Sequence, residues 1–93
     1  MTIFVAKITG RMGKSSGSPT GPEEFEQEIF LTNSEAATLL RELAQEIEAG
    51  GRVEASASTW SIGVNSMQMI EMELQYKFRK KELEIQFKLK ETP

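Results

Sequence analysis

Cysteine, histidine and aspartate are all absent from this sequence, and it contains one tryptophan and one tyrosine. The lack of cysteine excludes disulfides, thiol nucleophiles and thiolate metal sites. The lack of histidine removes imidazole ligands and the only side chain that titrates near neutrality without help from its surroundings. No stretch approaches the ~20 apolar residues that a membrane span needs. We therefore expect a protein that is not an enzyme, with no catalytic residues, no metal and no cofactor.

The 93 residues suffice for one small domain, and 39% hydrophobic with 27% charged residues is typical of a globular chain. All fourteen acids are glutamate, and eleven Lys and Arg leave a net charge of −3. Residues 1–22 carry three bases and no acid, whereas residues 23–93 are acidic overall. A modestly acidic body argues against a broad phosphate-binding surface. The absence of cysteine and of an export signal predicts a cytoplasmic location.

The composition divides the chain into two parts. Residues 1–22 form a basic leader, in which 10–22 (GRMGKSSGSPTGP) is rich in Gly, Ser and Pro and is predicted to be flexible. Residues 3–8 within this leader are ambiguous, since Ile3, Val5 and Ile8 are also compatible with an extra edge strand. Residues 23–93 are predicted to form a single α+β domain.

The domain begins with a strand and a helix. Residues 25–32 (FEQEIFLT) alternate imperfectly between apolar and polar side chains, which predicts a strand. Thr32 and Glu35 have the spacing of a capping box, and Gly50 with Gly51 suits the left-handed end of a helix. Between them, one stripe of apolar residues recurs at helical spacing: Ala36, Leu39, Leu40, Leu43, Ala44 and Ile47.

Beyond Gly51 the apolar period changes from 3.6 to 2 residues, which predicts strands. A turn at Ser58–Thr59 would place Ala57 opposite Trp60, Ala55 opposite Ile62 and Val53 opposite Val64. A second hairpin folds about Lys80–Lys81, with a loop over 79–82. Its predicted apolar pairs are Phe78–Leu83, Tyr76–Ile85, Leu74–Phe87 and Met72–Leu89. Its predicted charged pairs on the other face are Arg79–Glu82, Lys77–Glu84, Glu73–Lys88 and Glu71–Lys90.

Together these elements predict an α+β fold of the order β-α-β-β-β, an antiparallel four-stranded meander plus an N-terminal strand, with one helix packed on the apolar face. The apolar row that includes Tyr76 and Phe78 is assigned to the core.

Three segments of the sequence resemble the amphi-Trp domain family of small prokaryotic proteins. They are EAATLLRELAQEIEAGG (35–51), IEMELQYKF (70–78) and KELEIQFKL (81–89). The resemblance covers about residues 24–90 and leaves the leader outside. This chain has Leu89 where the closing strand of that family tends to end in Trp. The resemblance implies a fold of this kind and brings neither catalytic residues nor an established function.

Three groups of residues are candidates for chemistry or binding. Glu71, Glu73 and Glu84 could form a carboxylate cluster, but lysines beside them favour cross-strand ion pairs. A basic hairpin tip is a candidate for phosphate contact: Lys77, Arg79, Lys80 and Lys81. A possible interaction surface, or in the case of Trp60 a ligand pocket or a core position, comprises Trp60, Met67, Met69 and Met72.

The function that the sequence favours is protein contact by a small non-catalytic module, most simply self-association. A body of about 70 residues without disulfide or metal has a marginal core, which assembly into an oligomer often supplements. The expected partner is a second copy or another protein. The alternative is a nucleic-acid-binding accessory that uses the leader and the hairpin tip.

Overall fold

The computed structural model describes residues 6–21, 24–65 and 69–91. Within these ranges the chain forms one α-helix and seven β-strands, so the predicted α+β class is confirmed. The elements in chain order are β1 (Ala6–Lys7), β2 (Arg11–Ser16), β3 (Glu26–Phe30), α1 (Asn33–Ala49), β4 (Arg52–Ser56), β5 (Ser61–Asn65), β6 (Glu71–Lys77) and β7 (Glu82–Lys88). In the part of the chain that the structure describes, no helix has the length and apolar character to cross a membrane.

Helix α1 begins and ends as the sequence predicts. The Thr32 hydroxyl accepts a hydrogen bond from the Glu35 backbone N–H at 3.2 Å, and the Glu35 carboxylate accepts one from the Thr32 N–H at 2.9 Å. At the other end Gly50 has a φ of 77°, and its N–H donates to the Ile47 carbonyl. Both ends of the helix therefore satisfy backbone groups that would otherwise lack partners.

The helix packs on β1 and β4 with a face that is only partly apolar. Glu42 accepts a hydrogen bond from the Lys7 backbone N–H at 2.8 Å, and Glu46 accepts one from the Glu54 N–H at 2.9 Å. By contrast, Leu40 and Ile47 of the predicted stripe are 59% and 39% exposed. Carboxylates that bind strand amides thus share the contact between helix and sheet with the apolar side chains.

The β4–β5 hairpin has the predicted register. Val53 lies opposite Val64, and Ala55 lies opposite Ile62. The Ala57 N–H donates to the Trp60 carbonyl at 2.8 Å, which closes the turn at Ser58–Thr59. Small residues therefore face large ones across this pair, as a filled face requires.

The N-terminal region corrects the prediction of a flexible leader. Strand β2 covers Arg11–Ser16 and pairs antiparallel with β3, with a register shift between Met12 and Ser15. Gly13 permits a close approach, because a Cβ atom there would collide with the Glu28 carboxylate and lie 2.8 Å from the Phe30 ring. The glycine thus supports strand pairing here. Strand β1 adds parallel to β4, within the ambiguous stretch 3–8, of which residues 3–5 lie outside the described ranges.

The β6–β7 hairpin keeps the predicted faces but shifts the predicted register by two residues. Tyr76 lies opposite Leu83, where the sequence predicted Ile85. The turn covers residues 78–81, with Lys81 at a φ of 54° and its N–H donating to the Phe78 carbonyl. A shift of two residues leaves every side chain on its own face, so patterning does not distinguish the two registers. The turn geometry decides between them.

The strands are divided among three small sheets in the described residues, ordered β1–β4–β5, β2–β3 and β6–β7. The strand, the helix and the two hairpins follow one another as predicted, with β1 and β2 added before them, so three strands precede α1 and four follow it. Strands β5 and β6 do not pair, so the predicted meander is interrupted there. Because α1 packs on β1 and β4, the helix covers the first of these sheets. The β6–β7 hairpin is left without a cover from the helix.

Candidate functional site

The β6–β7 hairpin presents an uncovered row of apolar side chains, which we call the apolar face. Its members are between 52% and 62% exposed: Met72, Leu74, Tyr76, Leu83, Ile85 and Phe87. The assignment of this row to the core is therefore wrong, and Phe78 beyond it is 70% exposed. The alternation of apolar and polar side chains along each strand is present as predicted. The helix does not cover the apolar side, because α1 packs on β1 and β4. A contiguous apolar patch of this kind is typical of an interaction surface.

The apolar face continues into an open cleft at the base of the hairpin. The cleft has a volume of about 500 Å³, and its apolar walls come from Ile62 and Val64 of β5 and from Phe87 and Leu89. Phe87 belongs to both surfaces and makes them continuous. A partner on the apolar face therefore has a deeper apolar region beside it.

The molecule has far more surface than a compact chain of its size. Its accessible surface is 7,791 Å², whereas a folded monomer of 10.4 kDa has about 5,400 Å². Its radius of gyration is 14.2 Å, compared with about 12.3 Å for a compact domain of this length. Among the described residues, Ala6 and Val53 are the buried hydrophobic residues. The described residues therefore leave most large apolar side chains at least partly exposed.

The opposite side of the hairpin, its polar face, is organised by lysines. The Lys88 ammonium lies 3.2 Å from the Glu71 carboxylate and 3.1 Å from that of Glu73, and Lys77 lies 3.5 Å from Glu84. The hydrogen bond from Lys88 lowers the pKa of Glu71, and the hydrogen bonds to Glu73 and Glu71 raise the pKa of Lys88. Each shift favours the charged form. The predicted pairs Lys77–Glu84 and Glu73–Lys88 occur as diagonal contacts in the observed register.

These carboxylates do not form a catalytic or metal-binding arrangement. Glu71 and Glu73 lie beside the Lys88 ammonium and Glu84 lies beside that of Lys77, and the lowered pKa of Glu71 disfavours its use as a proton donor near neutral pH. In the described ranges, no group of three Glu side chains is placed to hold a metal ion. Cross-strand ion pairing accounts for Glu71, Glu73 and Glu84.

The basic hairpin tip is partly engaged within the chain. Lys77 pairs with Glu84, and the Lys81 ammonium lies 4.3 Å from the centre of the Phe78 ring in a cation–π contact. Arg79 and Lys80 occupy the exposed turn between them. The four predicted phosphate contacts therefore lie at one end of the hairpin, and two of them already contact neighbouring side chains.

The remaining candidates are placed apart from one another in the fold. Trp60 is half-buried in the β4–β5 turn and packs edge-on against Phe25, with 5.4 Å between the ring centres. Met69 is 88% exposed before β6, and Met72 belongs to the apolar face. Met67 lies outside the described residues. Trp60 thus serves the contact between the β4–β5 turn and the start of β3.

Sequence reasoning missed a short repeat in the hairpin. Strand β6 reads EMELQYK and strand β7 reads ELEIQFK, so Glu, Glu, Gln and Lys recur at every second position and apolar residues fill the others. The spacing of the two copies is 11 residues. A direct comparison of the strands would have found it.

No family model matches this chain, and neither a curated protein nor a solved structure matches it. The resemblance to the amphi-Trp domain therefore stays a prediction, and the site must be interpreted from its own geometry.

Proposed function

We propose that this protein is a small non-catalytic self-association module of the cytoplasm, in which the apolar face of the hairpin is buried between copies of the chain. The observation that carries the proposal is the exposure of six apolar side chains on one face, at 52% to 62% each. Removal of such surface from water is the main favourable term in association.

The available area supports a stable contact. The excess over a compact monomer is about 2,400 Å², whereas a standard-size interface removes about 800 Å² from each partner. This excess is spread over the whole chain, and the apolar face with the adjoining cleft is a contiguous apolar part of it.

A second copy suits this face better than an oppositely charged partner does. In a two-fold contact the same patch meets itself, so a charge near the axis meets a like charge and any other charge needs an opposite charge on the same patch. The apolar face carries no charged side chain, because the alternation of each strand directs Glu and Lys to the polar face. Contact between two such faces brings no charges together.

The experiment compares two double variants in the same strands. Leu74→Thr with Ile85→Thr changes the centre of the apolar face, and Thr preserves the strand because it is β-branched. Gln75→Thr with Gln86→Thr places the same residue on the polar face as a matched control. We expect the first variant to be monomeric by light scattering with an unchanged far-UV circular dichroism spectrum, and the control to keep the mass of the wild type.

An apolar-face variant that kept the wild-type mass while remaining folded would contradict the proposal.

The alternative of nucleic-acid binding stays a prediction. It has Arg79 and Lys80 in its favour, but Lys77 and Lys81 are engaged within the chain. We therefore propose no second function.

A further inference from the structure

The repeat in β6 and β7 favours antiparallel pairing between strands that share its residue pattern. Each strand carries Glu at its first and third positions, Gln at its fifth and Lys at its seventh. When such a strand runs antiparallel to another of the same pattern, Glu lies opposite Lys at both ends. In the hairpin this places Glu71 opposite Lys88, and Lys77 opposite Glu82.

For the same reason, each strand is complementary to the same strand of a second copy. If β7 runs antiparallel to β7 of a second copy about Ile85, Glu82 lies opposite Lys88 of the partner subunit. Leu83 then lies opposite Phe87 of the partner subunit, and Ile85 lies opposite its own equivalent on the two-fold axis. Charged and apolar side chains both keep to their own face, so the pairing costs no burial of charge.

The edge that this pairing needs is free in the described residues. Strand β7 pairs on one side with β6, and the hairpin is a two-stranded sheet. Its seven residues contain no Pro or Gly, and its register with β6 has no bulge. Proteins that avoid pairing at an edge usually interrupt it with such features.

The apolar side chains that would meet favour β7 over β6 as the paired edge. The charges do not distinguish the two edges, because Lys88, which would face Glu82 of the partner subunit, already contacts Glu71 and Glu73. Pairing of β7 with itself brings together Leu83 with Phe87 and two Ile85 side chains, and branched and aromatic residues form the stronger cross-strand pairs. The corresponding pairs in β6 are Met72 with Tyr76 and two Leu74.

We propose that β7 pairs antiparallel with β7 of a second copy, with Ile85 on the two-fold axis, so that the two hairpins form one four-stranded sheet. This inference rests on the proposed self-association and adds an edge contact to the burial of the apolar face. The pairing joins two apolar faces into one larger surface, which remains available for face-to-face contact. Edge pairing and face packing thus use different parts of the hairpin.

Cysteine cross-linking tests the register directly, because the chain has no cysteine and a single introduced thiol can bridge only between copies. The variants E84C and Q86C place thiols on the polar face, where contact between apolar faces cannot join them. In the proposed register, position 84 lies opposite position 86 of the partner, at roughly 4.5–5.5 Å between Cα atoms. Identical positions lie on a diagonal of roughly 7–8 Å, too far for a disulfide.

We expect an oxidised mixture of E84C and Q86C to give several-fold more cross-linked dimer than either variant alone. The matched control is a mixture of E73C and Q75C, the same two positions of the repeat in β6, which should give no such increase. Selective cross-linking of the β6 pair, or no increase for the β7 pair, would overturn the inference.

The solution mass separates failure of this register from failure of the proposed function. Wild-type protein that is oligomeric while the E84C and Q86C mixture does not cross-link selectively overturns the β7 pairing alone. Protein that is monomeric at every concentration overturns both.

Discussion

Glu46 is the charged side chain that the fold buries among the described residues, at 2% exposure. One carboxylate oxygen accepts the Glu54 backbone N–H at 2.9 Å, and the other has no partner. A buried N–H without an acceptor costs free energy, so Glu46 stabilises the middle of β4. Burying a carboxylate with one free oxygen is also costly. The Glu46 oxygen that accepts the Glu54 N–H therefore stabilises the contact between helix and strand, and burial of the other oxygen destabilises it.

Substitutions at Glu46 should separate these two effects. E46A removes the acceptor for the Glu54 N–H and is expected to lower the free energy of unfolding by about 1–3 kcal/mol. E46Q retains a carbonyl acceptor without the charge and should match or exceed the wild type. Chemical denaturation measures both. E48A, at an exposed position of the same helix, is the control and should change stability by less than about 0.5 kcal/mol. An E46A protein as stable as E48A would contradict this account.

Glu35 should make helix stability depend on pH. Its hydrogen bond with the Thr32 backbone N–H lowers the pKa of the carboxyl below the ordinary value of 4.5. A lowered pKa in the folded state means that the contribution is present above the unfolded value and is lost as the pH falls through the folded value. We expect the stability difference between wild type and E35Q to shrink from pH 5 to pH 3. The amide of E35Q can also accept the Thr32 N–H, so it serves as the charge-free control. A difference that is constant over this range would contradict the assignment.

Among the elements, β2 shows how a glycine can be misinterpreted from sequence. The run 10–22 contains four glycines and two prolines, which is typical of a flexible segment. In the structure Gly13 lies in a strand, and the Glu28 and Phe30 side chains of β3 occupy the space that its own side chain would fill. Composition does not distinguish a glycine that confers flexibility from one that permits close contact. Only the position of the partner strand does so.

G13A should therefore destabilise the β2–β3 pair. The added Cβ would collide with the Glu28 carboxylate and contact the Phe30 ring, which requires both side chains to move. We expect a loss of about 0.5–1.5 kcal/mol, the cost of displacing two exposed side chains from their preferred rotamers. G21A is the matched control, because a Cβ there meets its nearest neighbour at 3.5 Å, in ordinary contact. Equal thermal stability of the two variants would show that β2 does not pack as described.

The elements that could be predicted are those fixed by local signals. The Thr32–Glu35 capping box and Gly50 define the helix, and the pairing of Ala55 with Ile62 follows from alternation about a short turn. The register of the second hairpin could not be chosen, because a shift of two residues preserves both faces and the attraction between Glu and Lys. It depends on the left-handed backbone of Lys81, and a lysine gives little signal of that conformation.

At the scale of the whole molecule, the sequence does not show which element packs on which apolar face. It supplied one helix and two hairpins, and it identified Met72 as a candidate interaction residue. It also placed the rest of that row in a core. The helix contacts β1 and β4, with Glu42 and Glu46 bound to strand amides, so its apolar stripe does not reach β6 and β7. Which face remains open is decided by tertiary packing, and for this reason the candidate site emerged only with the structure.

The central claim is that copies of this chain associate through the exposed apolar face of the hairpin, and the solution mass of the wild-type protein tests it most directly. Light scattering over a concentration series, at two salt concentrations, should give a mass of at least two 10.4 kDa chains. Burial of apolar surface predicts a mass that persists at high salt, because screening weakens charge pairs and leaves the apolar contact intact. A mass of 10.4 kDa at every concentration and both salt levels would contradict the claim.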